Sequence, residues 1–424
     1  MRKFYSFLIY LFTPLVLVFL FIRGLRSREY MSRWSERFAF FDPPVKPGGI
    51  VIHAVSMGEV NAASPLIREL MRCYPEYSLC VTTFTPTGSE RVGTLFGDSV
   101  FHVYAPLDLP GAVERFFDHV QPRVLIIMET EIWPNLYHEA FVRNIPVMIA
   151  NARISDRSIG SYRRLHSFIA PALAQVSQIA AQSPRDAERL VEIGAHEDRV
   201  RVTGNLKFEV NLPPSLTEQG DSIRLSWGTD RMVLLAGSTH EGDEGPLYEA
   251  FQGVLQTFPT ALLVVVPRHP ERFSRAAQLA RTAGLRVAVR SENTVCPRDA
   301  QCYIIDLMGE LLRYYAACDA AFVGGSLEST GGQNVLEPAA LCKPVIVGPH
   351  TFNFEDITRQ LIDQQAAIRV HNAADLESAV RLLFSDPELR DTMGRQGAVL
   401  VKSGQGALKR TLSLFDRLLT EAAG

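Results

Sequence analysis

HAVSMGEVNAASPL, residues 53–66, follows the short apolar run IVIHAV and leads into a stretch with helical spacing. A strand, a tight turn and a helix in that order open a Rossmann-type unit, whose turn ordinarily carries several glycines for a phosphate. Here the turn holds one glycine, Gly58, and a carboxylate, Glu59, beside it. A functional reading has to explain a negative charge in a turn shaped for anions. The positive end of the helix dipole favours an ionised carboxylate in the first turn, so Glu59 is expected to be charged. A first-turn acid is also an ordinary helix start, and position alone does not make it catalytic.

The same rhythm runs outward from this turn. IVIHAV, SLCVTTF, FHVYA, VLIIME, PVMIA, QIAAQ and RVRVTG read as strands, with helix-like stretches such as GAVERFFDHV between several of them. NLPPSLTEQGDS, residues 211–222, interrupts the pattern and reads as a linker. The rhythm then restarts with MVLLAG, ALLVVVP, LRVAV, CYIID, AAFVGG, PVIVG and AAIRV. Short Val- and Ile-rich runs alternating with helices predict parallel sheets covered on both faces. A chain of 424 residues exceeds what one core usually supports, so two successive doubly wound α/β units are expected.

Composition excludes several classes. A net charge of -3 gives no basic excess for nucleic-acid binding. The six cysteines show no CxxC spacing and read as free thiols rather than a zinc site or disulfide frame. FYSFLIYLFTPLVLVFLFI, residues 4–22, is uncharged and about long enough to cross a bilayer, with Pro14 inside it. No small-residue cleavage site follows, so a retained membrane anchor is expected. Arg2 and Lys3 precede it, whereas Arg23, Arg26, Arg28, Arg33 and Arg37 follow. That imbalance places the body of the protein in the cytoplasm by the positive-inside rule. The arginines interleave with Tyr30, Trp34, Phe38 and Phe40, a composition suited to an anionic membrane surface.

Ligands of doubly wound sheets bind beyond the carboxyl ends of the strands. In the first half those ends carry SMGE (Ser56 to Glu59), TTFTPTG (around Thr85), ETEIWPN (Glu129 to Asn135) and NARIS (including Arg153). Alternation would set Glu129 and Glu131 on one face of an extended chain, where like charges raise a pKa. The structural alternative pairs one of them with Arg153 or Arg157. In the second half GSTHEGDE, PRHPERF, GGSLESTGGQNVLEPAA and GPHTFNF follow apolar runs. Their glycines permit close backbone approach, and GGQNVLEPAA leads into a helix start able to receive a phosphate. Arg268 and His269 add cationic and hydrogen-bonding groups, Lys207 lies near the domain junction, and Glu337 is placed to accept from ribose hydroxyls or to serve as a first-turn acid. There is no GxxxxGK[ST], no GxGxxG after the first strand, no HExxH, no Asp-x-Asp pair and no GxSxG. P-loop, dehydrogenase, zinc and hydrolase readings lose their usual signatures.

Taken together and in order, HAVSMGEVNAASPLI, TTFTPTGSERV, METEIWPNL, IANARIS, STHEGDE, VPRHPERF, FVGGSL, GGQNVLEPA and GPHTFNF resemble the motif set of the 3-deoxy-D-manno-octulosonic acid (Kdo) transferases, over nearly the whole chain. The resemblance implies an α/β GT-B glycosyltransferase: two Rossmann-like doubly wound domains facing across a cleft, behind an N-terminal membrane-anchor helix. It implies transfer of Kdo from CMP-Kdo to a glucosamine hydroxyl of the lipid A precursor (lipid IVA) at the bacterial inner membrane, inverting and independent of metal or cofactor. Glu59 then falls on the proposed general base and Glu131 on a second active-site carboxylate. Ser56, Gly58, Thr85 and Arg153 belong to the acceptor side. Lys207, Arg268, His269, Gly309 of MGEL, Asn334 and Glu337 belong to the donor side. The expected domains are an anchor over 1–24, an acceptor domain over 25–210, the linker over 211–222 and a CMP-Kdo domain over 223–424, its last helix free to pack back on the first domain. The competing readings are a GT-B enzyme with a UDP-sugar donor, a sugar-nucleotide epimerase, or a non-catalytic nucleotide-binding membrane protein.

Overall fold

Every run read above as a strand forms one in the computed structural model, which describes residues 2–26 and 28–421. The first seven are β1 (Ile50–His53), β2 (Leu79–Thr83), β3 (Phe101–Tyr104), β4 (Val124–Met128), β5 (Val147–Ala152), β6 (Gln178–Ala181) and β7 (Val200–Val202). They build one sheet in the order β3-β2-β1-β4-β5-β6-β7. The other seven are β8 (Val233–Thr239), β9 (Leu262–Pro267), β10 (Val287–Val289), β11 (Cys302–Ile304), β12 (Ala320–Val323), β13 (Val345–Val347) and β14 (Ala367–Arg369). They form a second sheet in the order β10-β11-β9-β8-β12-β13-β14. The pairings throughout are parallel, such as Ile50 with Leu79 on one side and with Val124 on the other.

A parallel sheet needs apolar side chains on both faces because helices cover both. In β1, Ile50 and Ile52 pack with Leu66 and Phe415 on one face, while Val51 packs with Leu125, Ile127 and Val113 on the other. That double burial is why the strands read as continuous apolar runs rather than as alternating ones.

The chain divides into two compact units, Met1–Glu209 with Gly404–Gly424, and Val210–Ser403. This differs from the expected boundaries in two places. The helix Leu216–Trp227 begins inside the supposed linker, and Trp227 is buried in the second unit's core. The last helix, Ala407–Glu421, packs Ala407, Leu414, Phe415 and Leu418 into the first unit's core, so that unit reclaims the chain's end.

The N-terminal helix α1 spans Arg2–Arg26. It is long and apolar enough to cross a membrane. Of the arginines after it, the side chains of Arg26 and Arg28 lie outside the described residues. Arg37 does not face a membrane surface: it is 1% exposed, stacked between Phe84 and Tyr104 and donating to the Phe84 carbonyl. All six cysteines are free thiols, Cys73 and Cys342 exposed and the others buried.

Candidate active site

The strand order switches between β1 and β4 in the first sheet and between β8 and β12 at the centre of the second, which also reverses at β11 near its edge. A crevice opens at such a point because the two strands send their following helices to opposite faces. The polar motifs gather at these two places.

At the first, helix α2 (Met57–Cys73) starts one turn after β1. Ser56 caps it, its hydroxyl accepting from the Glu59 N–H at 3.3 Å. The Glu59 carboxylate in return accepts from the Ser56 hydroxyl at 3.1 Å and from the Val55 N–H at 2.8 Å. The capping role and a chemical role therefore coexist in one side chain. The TTFTPTG turn is pressed against this one: the Phe84 and Thr85 N–H groups both donate to the Val55 carbonyl, at 2.9 and 3.1 Å. Thr85 caps its own helix through the Gly88 N–H at 3.2 Å. A side chain at Gly88 would approach the Ser56 backbone to 3.3 Å, so that glycine allows the two turns to touch. Gly58 is open: a Cβ there would meet only the Ser56 hydroxyl, at 3.8 Å. It leaves one side of the turn uncovered beside Glu59.

Beyond β4 the two glutamates separate. Glu129 has a left-handed backbone, φ 55°, so the extended alternation expected of ETE does not hold. Its carboxylate meets the Arg153 guanidinium at 3.0 Å and the Lys207 ammonium at 3.7 Å. Lys207, expected on the donor side, thus lies beside the first unit's carboxylate cluster. Glu131 instead accepts from the Trp133 indole at 2.9 Å, and the Tyr137 hydroxyl binds its carbonyl at 2.7 Å. Trp133 is held edge-on by His53, ring centroids 4.7 Å apart, and by Phe84. Burial pushes His53 down to about 3, so it stays neutral and acts as a wall. Its signal in the sequence was absent, because a histidine within an apolar strand reads as core.

The electrostatics overturn one expectation. Glu59 is 8% exposed, and burial, reinforced by Glu131 and then Glu129, pushes its carboxyl up to about 8 against the hydrogen bonds from Val55 and Ser56. The helix start does not keep it ionised, because removal from water and two neighbouring carboxylates outweigh the dipole. Burial also raises Glu131, followed by Glu129, with the Trp133 indole opposing. Glu129→Gln, which removes one of these charges, should therefore move the acid limb of kcat/KM to lower pH. A pH profile unchanged from wild type would show that Glu129 is not felt at Glu59.

The second unit gathers its motifs around a residue that the sequence motifs do not single out. Asp243, fully buried in the helix Glu241–Thr257, accepts from the N–H groups of His240 at 2.8 Å, Gly325 at 2.6 Å and Leu327 at 3.0 Å. It ties the turn after β8 to the glycine turn after β12. Gly325, at φ 67°, takes a backbone conformation that favours glycine. Glu328 adds a second tie, accepting from the Gly242 N–H at 2.9 Å. Arg268 follows β9, its N–H bonded to the Thr239 carbonyl at 3.0 Å, and His269 meets the His240 ring at 5.4 Å. His240 in turn lies 3.2 Å from the Gln333 amide. Asn334 donates to Glu337 at 3.1 Å, and its own oxygen accepts from the Leu336 N–H at 3.1 Å. The helix that follows, Leu336–Ala340, is a single short turn with Glu337 as its first-turn acid. This is a smaller anion platform than GGQNVLEPAA promised, and one of its N–H groups is already capped. Gly309 sits apart on an exposed turn after β11, at φ 84°.

Two doubly wound units, each with polar side chains collected at its switch point, define the GT-B class of sugar-nucleotide enzymes. A glycosyltransferase of Rickettsia africae superposes with a TM-score of 0.56 over 89% of this chain and 99% of that one, at 15% identity. The UDP-GlcNAc 2-epimerase of Neisseria meningitidis gives 0.57 over 87% of this chain and all of that one, at 14% identity. Both likenesses concern the fold. Residues 297–399 match the family described as glycosyl transferases group 1, and residues 32–210 match 3-deoxy-D-manno-octulosonic-acid transferase (kdotransferase). A 3-deoxy-D-manno-octulosonic acid transferase of Haemophilus influenzae is 44% identical over 423 residues, 99% of either chain. The chain belongs to the Kdo transferase family, and it is a glycosyltransferase.

Proposed function

We propose that this enzyme moves Kdo from CMP-Kdo to a glucosamine hydroxyl of the lipid A precursor lipid IVA, with inversion, at the cytoplasmic face of the bacterial inner membrane. The observation that carries the mechanism is Glu59: a buried carboxyl at the switch point, with an open glycine beside it, whose pKa of about 8 lies near working pH. A general base is most effective when its pKa lies there. The acceptor hydroxyl oxygen attacks the anomeric carbon from the side opposite CMP. Its proton passes to Glu59, and the bond from that carbon to the CMP phosphate oxygen breaks with both electrons leaving on CMP. The donor already carries its activation, so the step draws on no metal or cofactor.

The acceptor would lie along Ser56, Gly58, Thr85 and Arg153, with Glu131 as the second carboxylate, aimed by Trp133. CMP-Kdo would lie on the second unit, where Arg268, His269, Asn334 and Glu337 follow strand ends and Gly309 leaves a turn uncovered. The Arg268 guanidinium is suited to the charge that develops on the departing phosphate. Lys207 is assigned to the carboxylate cluster, where its cation beside Glu129 tempers the field at Glu59.

Purified enzyme mixed with CMP-Kdo and lipid IVA should yield a product heavier by whole Kdo units in mass spectrometry, and the protein should bind CMP in preference to UDP. Preference for UDP would instead favour a UDP-sugar transferase or an epimerase. Binding without turnover would favour a nucleotide-binding module.

A further inference from the structure

Helix α1 is about 37 Å long at 1.5 Å per residue, enough to cross a hydrocarbon layer of about 30 Å. Composition alone would make it a span. Its contacts say otherwise. At its start the Tyr5 hydroxyl donates to Asp108 at 2.9 Å, while Arg2 and the Ser6 hydroxyl both donate to the Asn135 side-chain oxygen, at 3.2 and 3.0 Å. Asp108 and Asn135 are buried, 6% and 2% exposed, and built into the first unit. Asp108 caps the helix Pro134–Val142 through the Asn135 and Leu136 N–H groups, at 3.0 and 2.8 Å. One turn further on, Ile9 packs against the cluster of Leu107, Leu109 and Ala112, and Phe4 meets Phe168. At the far end Leu20 is buried, and Arg23 stacks over Tyr30.

The sheltered positions include Arg2, Ser6, Ile9, Thr13, Leu20 and Gly24, at helical spacing along one stripe. Another stripe carries Phe7, Leu11, Leu15, Val18, Ile22 and Leu25, each more than half exposed. The start of the helix therefore touches the first unit, and its far end packs on the segment that follows it in the chain. A helix that crossed the bilayer would carry Arg2 to the far side and break every contact with Asp108 and Asn135.

We propose that α1 does not span the membrane but lies along the leaflet facing the catalytic body, clipped to the first unit at Asp108 and Asn135, with its Phe7-to-Leu25 stripe in the acyl layer. Lys3 at one end and Arg23 at the other, both exposed, then meet anionic headgroups of one leaflet. A second copy of the helix fits less well, since antiparallel pairing would set those cations against each other. This rests on the membrane location proposed above, and is independent of the donor and acceptor chosen there.

The test uses the full chain with the exposed Cys73 and Cys342 changed to Ser and Lys3→Cys added, bound to phosphatidylethanolamine–phosphatidylglycerol vesicles with the catalytic body outside. A membrane-impermeant maleimide added outside should label the new thiol nearly completely, with the chain lacking Lys3→Cys as the blank. Labelling only after the vesicles are permeabilised would place the helix across the bilayer and overturn the proposal. Efficient disulfide crosslinking of a Leu15→Cys variant to its own copy would overturn it in favour of a dimer. Failure to stay on vesicles at all would overturn the membrane location itself, which distinguishes that failure from the first.

Discussion

Glu59→Gln should fold normally, bind CMP as the wild type does, and lose at least about a hundredfold in kcat, the lower end of what a positioned base contributes. The amide keeps one acceptor oxygen for the Val55 N–H and can turn its NH2 to the Ser56 hydroxyl, which then accepts, but it cannot take a proton. The same variant should be more stable than wild type at alkaline pH. The folded-state pKa of Glu59 is raised from 4.5 to about 8, so folding favours its neutral form. Stability from this group is complete below about pH 4.5 and is lost as pH rises toward 8, up to about 5 kcal/mol if nothing relaxes. Glutamine escapes that loss. Denaturant unfolding of the two proteins should therefore nearly coincide at pH 4.5 and diverge by a few kcal/mol at pH 8.5. Equal stability at both pH values would mean that Glu59 is solvated, and near-wild-type turnover would remove it from the chemistry. The wild-type acid limb of kcat/KM should lie near pH 8 for the same reason.

Asp243→Ala should do the largest structural damage in the second unit. It strips the partner from the N–H groups of His240, Gly325 and Leu327, and with it the tie between the turns after β8 and β12. A buried donor left unsatisfied costs about 1–3 kcal/mol, so a loss of about 3 kcal/mol or more is expected. CMP affinity should fall as well, because the turn after β12 leads to Asn334 and Glu337 and His240 of the turn after β8 packs on His269. Asp243→Asn, which retains one acceptor oxygen, should fall between the two. Unaltered stability and CMP affinity in Asp243→Ala would show that the two turns hold their shape without it.

Before any coordinates, IVIHAV and MVLLAG already announced their strands, and Glu59 announced the first turn of a helix. These are local signals: a doubly covered strand must be apolar throughout, and a cap acts within three residues. The motifs at strand ends put Glu59, Glu131, Arg153 and Arg268 just after β1, β4, β5 and β9. Asp243 stayed silent because an acid in a first helical turn looks the same whether it meets water or three backbone N–H groups from elsewhere. Arg153 was among the partners expected for one of the ETE glutamates, but the approach of Lys207 to Glu129 was invisible, since that cation follows β7 while the carboxylate follows β4.

The fold and its class were thus written in the order of apolar runs and polar turns. The ionisation of Glu59, the left-handed turn at Glu129, the ties made by Asp243 and the docking of the start of α1 on Asp108 and Asn135 were decided only by tertiary structure. Strand and helix formation answer to neighbours a few residues away. Ionisation and docking answer to water exclusion and to charges that the chain brings together from positions some seventy residues apart, as Glu59 and Glu131 are.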